Sequence, residues 1–321
     1  MSLRVGVIGA GTMGAHHACL LRDATGGAHL AAVCDADPDR AAALGARTVD
    51  NPLALIADPG IDAVVVASPD ATHASLALAC LEVGKPVLLE KPVASTAADA
   101  WHVVEAEAAL GRRLVQVGYM RRFDGAYRAL QAAAGEGRIG QPVLLHNVHR
   151  NRGAPAWFAG AMPITNSFVH EIDASRWLLG SEMATARVLS APGGDPLLIV
   201  MKTDRGEIVS TEVFVNAAYG YHVHAELVGR EGTVAMAAPT MSLLNREGQG
   251  TFAYPDLWVP RFEQAYRDQM QAWVRSVATG LPVGASAWDG FCATAVAEQV
   301  AEGIGRPEVR LSLPERPTLY A

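Results

Sequence analysis

A glycine-rich turn near the start of the chain constrains its fold more than any other feature. Gly9, Gly11 and Gly14 stand in the spacing G-x-G-x-x-G. The turn follows the apolar run Leu3–Gly9 and precedes Met13–Arg22, which has helical composition. In this context the first glycine permits a tight turn, the second lets the backbone approach an anion, and the third lets helix and strand pack closely. The pattern predicts a strand, a turn and a helix that open an α/β sheet.

Strands and helices continue to alternate as far as about residue 120. The further predicted strands are His29–Asp35, Ile61–Ala67, Pro86–Glu90 and Arg113–Gly118. The predicted helices between them are Pro38–Leu44, Asp70–Val83 and Thr96–Leu110. Strands joined by helices require right-handed crossovers, so the sheet should be parallel and doubly wound. We expect residues 1–120 to form this Rossmann domain.

After residue 120 the predicted strands become mostly consecutive. They are Pro142–Arg150, Ala186–Ser190, Leu197–Thr203, Glu207–Asn216, Tyr221–Gly229 and Thr233–Met236. The helices predicted in this part are Phe123–Ala134, Arg261–Thr279 and Trp288–Gly303. Because turn signals such as Gly193-Gly194 separate neighbouring strands, the sheet should be largely antiparallel. We expect residues 121–321 to form an α+β domain.

Composition and charge exclude several classes of protein. Half of the residues are hydrophobic and 18% are charged, so a substantial core is available and disorder is not expected. A net charge of −7 argues against a nucleic-acid surface, which needs a basic face. The longest charge-free stretch, 153–170, is interrupted by Pro155 and Pro163, so we expect no membrane-spanning helix.

The cysteines and histidines argue against a metal site. The four cysteines lie far apart and form no C-x-x-C pair: Cys19, Cys34, Cys80 and Cys292. Neither a disulfide framework nor a zinc knuckle is expected. The zinc motif H-E-x-x-H fails as well, since Ala174 stands where the second histidine would be. We therefore expect a cytoplasmic protein without metal.

The glycine turn and a nearby acid predict a dinucleotide cofactor. Thr12 and Met13 lie where the helix starts, and free N–H groups there favour a diphosphate. Asp35 ends the second predicted strand, 21 residues beyond Gly14, where a carboxylate accepts hydrogen bonds from an adenosine ribose. Since Asp35 would repel a 2′-phosphate, NAD is favoured over NADP, while Arg40 leaves room for dual use. The alternative is a glycine-rich turn beside an incidental acid.

Further candidates lie at the carboxyl edge of the predicted sheet, where ligands bind in such folds. Ser68 and His73 follow one strand, and Glu90 and Lys91 end the next. His73 either faces the cofactor or is a partly exposed histidine in a first helical turn. The predicted cofactor contacts are Gly9, Gly11, Thr12, Met13, Gly14, Asp35, Ser68, His73, Glu90 and Lys91.

Lys91 is distinguished by the rarity of lysine in this chain. There are 23 arginines but only three lysines, Lys85, Lys91 and Lys202. Positions that need only a positive charge have mostly taken arginine, so a lysine at this edge indicates a need for a compact ammonium group. Such a group stabilises a developing alkoxide. The alternative is a surface lysine before a turn proline.

A polar group interrupts an otherwise apolar segment at residues 166–173. On a helix Asn166, His170 and Asp173 share one face. His170 is a candidate general base for an alcohol, because the reference pKa of histidine is near neutrality. The alternative is that Asn166 caps the helix and His170 is a core histidine.

Taken together, these segments resemble the Gfo/Idh/MocA oxidoreductases. The similarity rests on the glycine turn, Glu90-Lys91-Pro92 and His170-Glu171-Ile172-Asp173. Further segments are most similar to the inositol 2-dehydrogenases of that family: 118–124 (GYMRRFD), His149-Arg150-Asn151, 215–216 (VN), 219–221 (YGY) and 287–290 (AWDG). These stretches run through nearly the whole chain in the family's order.

The resemblance implies an NAD enzyme that oxidises a ring hydroxyl of myo-inositol or a close cyclitol. It implies a second domain with an open sheet that binds substrate and forms a homotetramer or dimer. Lys91 would bind the reacting hydroxyl, His170 would take its proton, and Lys91-Pro92 would be a cis peptide. The candidates for holding the remaining hydroxyls are Arg122, His149, Asn151 and Tyr221.

Asn166, the third residue expected at the catalytic centre, departs from the family pattern, which has aspartate there. Asparagine can hydrogen-bond a hydroxyl or imidazole but cannot stabilise an imidazolium by charge. Either the hydroxyl pattern of the substrate differs, or Asp173 or Glu171 supplies the carboxylate, or turnover is weak. Two other functions stay open: a dehydrogenase of another sugar, aldose or amino-cyclitol, and a non-catalytic NAD-sensing regulator. Retention of Lys91 and His170 weighs against the regulator.

Overall fold

A computed structural model describes residues 2–237 and 243–321. The chain divides into two compact units, neither of which is continuous in sequence. The first unit consists of Met1–Met120, Gln264–Ala295 and Pro314–Ala321. The second unit consists of Arg121–Glu263 and Val296–Leu313. The division into domains 1–120 and 121–321 stays a prediction.

A parallel sheet forms the centre of the first unit. Its strands are β1 (Leu3–Ile8), β2 (Ala28–Cys34), β3 (Arg47–Thr48), β4 (Ala63–Val66), β5 (Val87–Leu89) and β6 (Val115–Val117). Within the described residues these six strands pair in the order β3-β2-β1-β4-β5-β6, and all the pairs are parallel. This is the Rossmann order. Every residue of β4 is buried, as in a strand covered on both faces. The predicted doubly wound sheet is confirmed.

The helices of this part begin where local capping allows. They are α1 (Thr12–Asp23), α2 (Pro38–Ala43), α3 (Pro52–Ala57), α4 (His73–Glu82) and α5 (Ala97–Leu110). The side chains of Asp37, Asn51 and Thr96 accept backbone N–H bonds at the starts of α2, α3 and α5. The sequence-based assignment lacked β3 and α3, which have two and six residues.

A mixed sheet forms the centre of the second unit. Its strands are β7 (Pro142–Arg150), β8 (Met183–Ser190), β9 (Leu197–Thr203), β10 (Ile208–Phe214), β11 (His222–Gly229), β12 (Thr233–Ala235) and β15 (Val309–Arg310). In the described parts of the chain their order is β12-β11-β7-β10-β9-β8-β15. The β7–β10 pair is parallel and the other pairs are antiparallel. The predicted, mostly antiparallel sheet is confirmed.

The described residues also include a small hairpin and four further α-helices. The hairpin consists of β13 (Leu244–Arg246) and β14 (Gln249–Thr251), and the helices are α6 (Gly125–Gly135), α7 (Val169–Leu179), α8 (Trp258–Thr279) and α9 (Ala287–Glu302). None of the helices in the described ranges combines the length and apolar character that a membrane span requires.

The second sheet buries one face and leaves the other partly exposed. On β11 Val223, Ala225 and Leu227 are buried, and the residues between them are half-buried. The same alternation of burial runs along β7, β9 and β10. It places the side chains of His149 and Asn147 on the buried face, because successive strand residues point to opposite faces.

Candidate functional site

The glycine turn has the shape that a diphosphate requires. Gly9 has a φ of +94°, and a Cβ there would lie 2.5 Å from the Ala67 carbonyl oxygen. A Cβ on Gly14 would lie 1.8 Å from the Gly9 carbonyl oxygen, so both positions need glycine. Among the described residues, nothing lies within 4 Å of a Cβ built on Gly11. The open space beside the first turn of α1 therefore fits a phosphate group.

Asp35 lies against this turn at the carboxyl end of the first sheet. Its Oδ2 accepts a bond of 2.5 Å from the Ala10 N–H, and its Oδ1 accepts one of 2.8 Å from the Asp37 N–H. Both contacts fix the carboxylate beside the turn. Arg40 is exposed, and its guanidinium pairs with Asp37 at 3.3 Å. Thr12 and Met13 begin α1, as predicted from the sequence.

His73 is buried rather than partly exposed. Only 1% of its surface is accessible, and it is the first residue of α4. Its Nδ1 lies 2.6 Å from the Pro92 carbonyl oxygen and its Nε2 lies 2.8 Å from the Ser68 carbonyl oxygen. The hydroxyl oxygens of Ser68 and Thr72 are 2.6 Å apart. His73 therefore links the segments that follow β4 and β5.

Glu90 is held by a histidine that sequence reasoning missed. His17 on α1 donates from Nε2 to Glu90 Oε1 at 2.7 Å, and both residues are buried. A Cβ on Gly118 would lie 2.9 Å from Glu90 Oε2, so glycine leaves room for the carboxylate. Burial alone would raise the pKa of Glu90, but the bond from His17 and the charge of Lys91 outweigh it and lower that pKa. The sequence signal for this contact was the position of His17, three residues after Gly14 at the end of the glycine turn.

Lys91 follows Glu90 directly, and its peptide bond to Pro92 is cis, which confirms the prediction. The side chain is half-buried. Lys85 shows why this chain keeps a lysine elsewhere: its Nζ donates to the carbonyl oxygens of Ile56 and Asp58, each at 2.6 Å. Two converging carbonyls suit a compact ammonium better than a planar guanidinium.

In the second unit Asn166 lies in a π-helical turn, Pro163–Phe168, that leads into α7. Such turns occur frequently at functional sites, and the sequence pattern did not predict this one. His170 is buried on α7. Asp173, also buried, accepts bonds from Arg122 Nε at 3.0 Å and Nη2 at 2.6 Å. This two-point contact sets the direction of the Arg122 guanidinium.

A buried ion pair lies next to His170 in the sequence. Glu171 has no accessible surface and accepts bonds from the Arg121 guanidinium and from His149 Nδ1, the latter at 3.0 Å. Burial alone would raise the pKa of Glu171, but the charge of Arg121 and the hydrogen bonds from His149 and Arg121 outweigh it and lower that pKa. Arg121 also donates to the Tyr127 hydroxyl at 3.1 Å. The sequence analysis named Arg122 as a candidate substrate ligand and gave no role to the neighbouring Arg121.

The structure brings three predicted substrate ligands together. The ring centres of His149 and His170 are 6.4 Å apart, and Tyr221 lies edge-on to His149 at 5.9 Å. Burial raises the pKa of Tyr221 to about 12, so its hydroxyl keeps its proton at neutral pH. Asn151 directly follows β7 and is half-buried. The cluster offers both donors and acceptors, as a polyol requires.

Comparison with known proteins gives the family. Residues 3–119 match the family model described as "Oxidoreductase family, NAD-binding Rossmann fold", and residues 127–235 match the "GFO/IDH/MocA C-terminal domain". Inositol 2-dehydrogenase 1 of Saccharopolyspora erythraea is 49% identical over 100% of this chain and 99% of that protein. Inositol 2-dehydrogenase of Acidothermus cellulolyticus is 41% identical over 99% of this chain and 98% of its own length.

A solved structure agrees with these matches. The myo-inositol dehydrogenase of Lactobacillus casei in complex with NAD(H) and myo-inositol superimposes with a TM-score of 0.94. It is 32% identical, and the match covers 100% of both chains. The resemblance inferred from the sequence is confirmed. With both domain models matched and relatives aligned along the whole chain, the protein belongs to the Gfo/Idh/MocA family of oxidoreductases.

Proposed function

We propose that this chain is an inositol 2-dehydrogenase that oxidises a ring hydroxyl of myo-inositol, or of a close cyclitol, to the ketone. The observation that carries the proposal is the 49% identity, along the whole chain, to an inositol 2-dehydrogenase. The TM-score of 0.94 to a complex with NAD(H) and myo-inositol supports it. The buried cluster of His149, His170 and Tyr221 has the chemistry that a polyol ligand needs.

The proposed roles follow from what alcohol oxidation requires. Held by the glycine turn and Asp35, NAD would supply the acceptor for the hydride that leaves the carbon carrying the hydroxyl. The hydroxyl proton must leave as well, and His170 is the proposed base because imidazole titrates near neutrality. Lys91 is the proposed donor to the same oxygen, where its ammonium stabilises the developing negative charge.

The remaining hydroxyls are assigned to residues with fixed directions. Arg122 is oriented by Asp173, and the Nδ1 of His149 donates to Glu171. The Nε2 of a neutral His149 is then an acceptor for a substrate hydroxyl. Tyr221 and Asn151 are the other proposed ligands. We assign Asn166 a hydrogen bond to a substrate hydroxyl, since its amide both donates and accepts without charge.

NAD is the proposed cofactor in preference to NADP. Asp35 is fixed beside the glycine turn by the N–H groups of Ala10 and Asp37. A carboxylate in that place attracts ribose hydroxyls and repels a 2′-phosphate. Ser68, His73 and Glu90 stay proposed cofactor contacts.

A homo-oligomer, either a tetramer or a dimer, is also proposed. Leu198 and Ile208 are exposed on the second sheet, on the face opposite its buried side chains. Burying such side chains against a second copy would remove apolar surface from water. The cytoplasm is the proposed location, because the four cysteines among the described residues are free thiols.

The test is NADH formation by the purified protein with NAD or NADP against inositol isomers, aldoses and amino-cyclitols. Turnover with NAD and myo-inositol is the expected result. Lys91→Ala and His170→Ala should abolish it while NAD binding survives. Lys202→Ala and His102→Ala replace exposed residues of the same types and should leave the rate unchanged.

One observation favours a second candidate, a dehydrogenase of another sugar, aldose or amino-cyclitol. Asn166 carries no charge where the family usually has aspartate, so the pattern of bound hydroxyls can differ. Turnover with a different polyol but not with myo-inositol would change the proposed substrate and leave the proposed roles of Lys91 and His170 unchanged. Binding of NAD without turnover of any polyol in the panel would contradict the proposed activity.

A further inference from the structure

His73 makes a pair of hydrogen bonds that only a doubly protonated imidazole can satisfy. Its Nδ1 lies 2.6 Å from the Pro92 carbonyl oxygen, and its Nε2 lies 2.8 Å from the Ser68 carbonyl oxygen. A carbonyl oxygen can only accept, so both ring nitrogens must donate. Neutral imidazole has one N–H, whereas imidazolium has two.

The neutral ring would leave an unfavourable contact in a buried place. One ring nitrogen would then present its lone pair to a carbonyl oxygen less than 3 Å away. Only 1% of the His73 surface is accessible, so bulk water cannot replace the lost bond. Backbone movement at Ser68 or Pro92 would have to relieve the contact.

The charges around His73 act in both directions. Asp70, three residues before His73, and Glu90, two residues before Pro92, are acidic, and Lys91 is basic. The helix dipole opposes the imidazolium, since His73 is the first residue of α4. Two charge-assisted hydrogen bonds decide in favour of the charged ring, because bonds from an ionised donor are about twice as strong as neutral ones.

These bonds bear directly on Lys91. Ser68 follows β4 and Pro92 follows β5, and these two strands are neighbours in the sheet. On the other side of Lys91, Glu90 is held by His17 at 2.7 Å. Both sequence neighbours of the lysine are therefore fixed by buried histidines, one from α1 and one from α4.

We propose that His73 is a positioning residue: a buried imidazolium that holds the Pro92 carbonyl and so fixes the direction of Lys91. The effect on turnover rests on the proposed function, whereas the protonation of His73 and its effect on Lys91 do not.

The protonation state is measured by NMR on the whole protein labelled with ¹³C at the Cε1 of its ten histidines. The His73 signal is identified by its loss in His73→Gln, or in His73→Asn if the first variant does not fold. The His73 signal of the folded protein should be that of an imidazolium, because both ring nitrogens face carbonyl oxygens. The signal of a neutral ring would overturn the proposal.

The positioning role is measured on the lysines, which number only three. Reductive methylation with ¹³C-formaldehyde gives each lysine an NMR signal, and Lys91→Arg assigns the one for Lys91. In folded His73→Gln the Lys91 signal should shift, because the Pro92 carbonyl next to it loses the bond that holds it. The signal of Lys202 should not move. An unchanged Lys91 signal would overturn the positioning role.

Kinetics provide the matching readout. In His73→Gln the kcat for the polyol should fall about tenfold or more, because a misplaced reacting group is costly. The KM for NAD should rise by a smaller factor than the one by which kcat falls, since the glycine turn and Asp35 are untouched. His102→Gln, on the exposed side of α5, is the control and should leave both unchanged. If the wild type oxidises no polyol, the proposed function fails, and the two NMR measurements still decide the assignment of His73.

Discussion

Replacing Glu171 with glutamine should destabilise the second unit strongly. The carboxylate is fully buried and accepts bonds from Arg121 and His149. Glutamine keeps the shape of the side chain but removes the charge. The Arg121 guanidinium, 1% exposed, would then lie uncompensated in a low-dielectric interior. Removing one partner of a buried ion pair costs about 3–5 kcal/mol of unfolding free energy.

The expected shift in melting temperature follows from the size of the unit. The second unit has about 160 residues, so its unfolding entropy is about 0.34 kcal/mol/K. Each kcal/mol then corresponds to about 3 °C. The Tm of Glu171→Gln should therefore fall by about 9–15 °C.

The assay is thermal unfolding followed by circular dichroism, with two further variants. The double variant Arg121→Met/Glu171→Met removes both charges and should recover much of the lost stability, because an apolar pair can replace a buried ion pair. Glu231→Gln, at an exposed turn of the same unit, should change stability by less than about 0.5 kcal/mol. A loss below about 1 kcal/mol in Glu171→Gln, or a double variant no better than the single one, would refute the reasoning.

Three other predictions follow from the first unit. Gly14→Ala should weaken NAD binding more than tenfold in calorimetry, because its Cβ would lie 1.8 Å from the Gly9 oxygen; wild-type affinity would contradict the glycine argument. Asp35→Ala should raise the ratio of kcat/KM for NADP to that for NAD, and an unchanged ratio would exclude Asp35 as the discriminating residue. The hydrogen bond from Arg4 lowers the pKa of Asp62 to about 2, so the stability from this pair is present above the ordinary aspartate pKa and is lost as pH falls toward 2. As pH falls toward 2, the free energy of unfolding of the wild type should lose about 1 kcal/mol that Asp62→Asn does not lose. If both proteins lose the same amount of stability, the prediction is wrong.

The sequence predicted the elements whose pattern is strong and local. The apolar run around β4 and the strands β7 and β9 were recognised because burial on one or both faces leaves a clear periodicity. The strand β3, with two residues, has no periodicity to detect. The π-helical turn at Asn166 was missed because the pattern assumed regular α-helical spacing.

Site residues with a local signature were predicted, and their distant partners were not. The glycine turn and Asp35 belong to one motif with known spacing. His17 and Glu90, in contrast, are 73 residues apart, and Arg121 and Glu171 are 50 apart. Such pairs form only when the fold brings two elements together, so no spacing within a short stretch of sequence predicts them. The same holds for His73, whose two acceptors are backbone carbonyls and leave no mark in the sequence.

The discontinuity of the first unit has a consequence for how the protein is made. Its sheet is complete at residue 120, yet Val117 pairs with Ala285, and Tyr320 donates to the buried Glu107 at 2.6 Å. On the ribosome, the first 120 residues emerge while their partners 264–295 and 314–321 are still to be synthesised. Until then the N-terminal segment has an uncovered sheet edge, and Oε2 of Glu107 lacks its bond from Tyr320. Its folding ends only after residues 264–321 have been synthesised, which makes this stage the one at which chaperones would matter most.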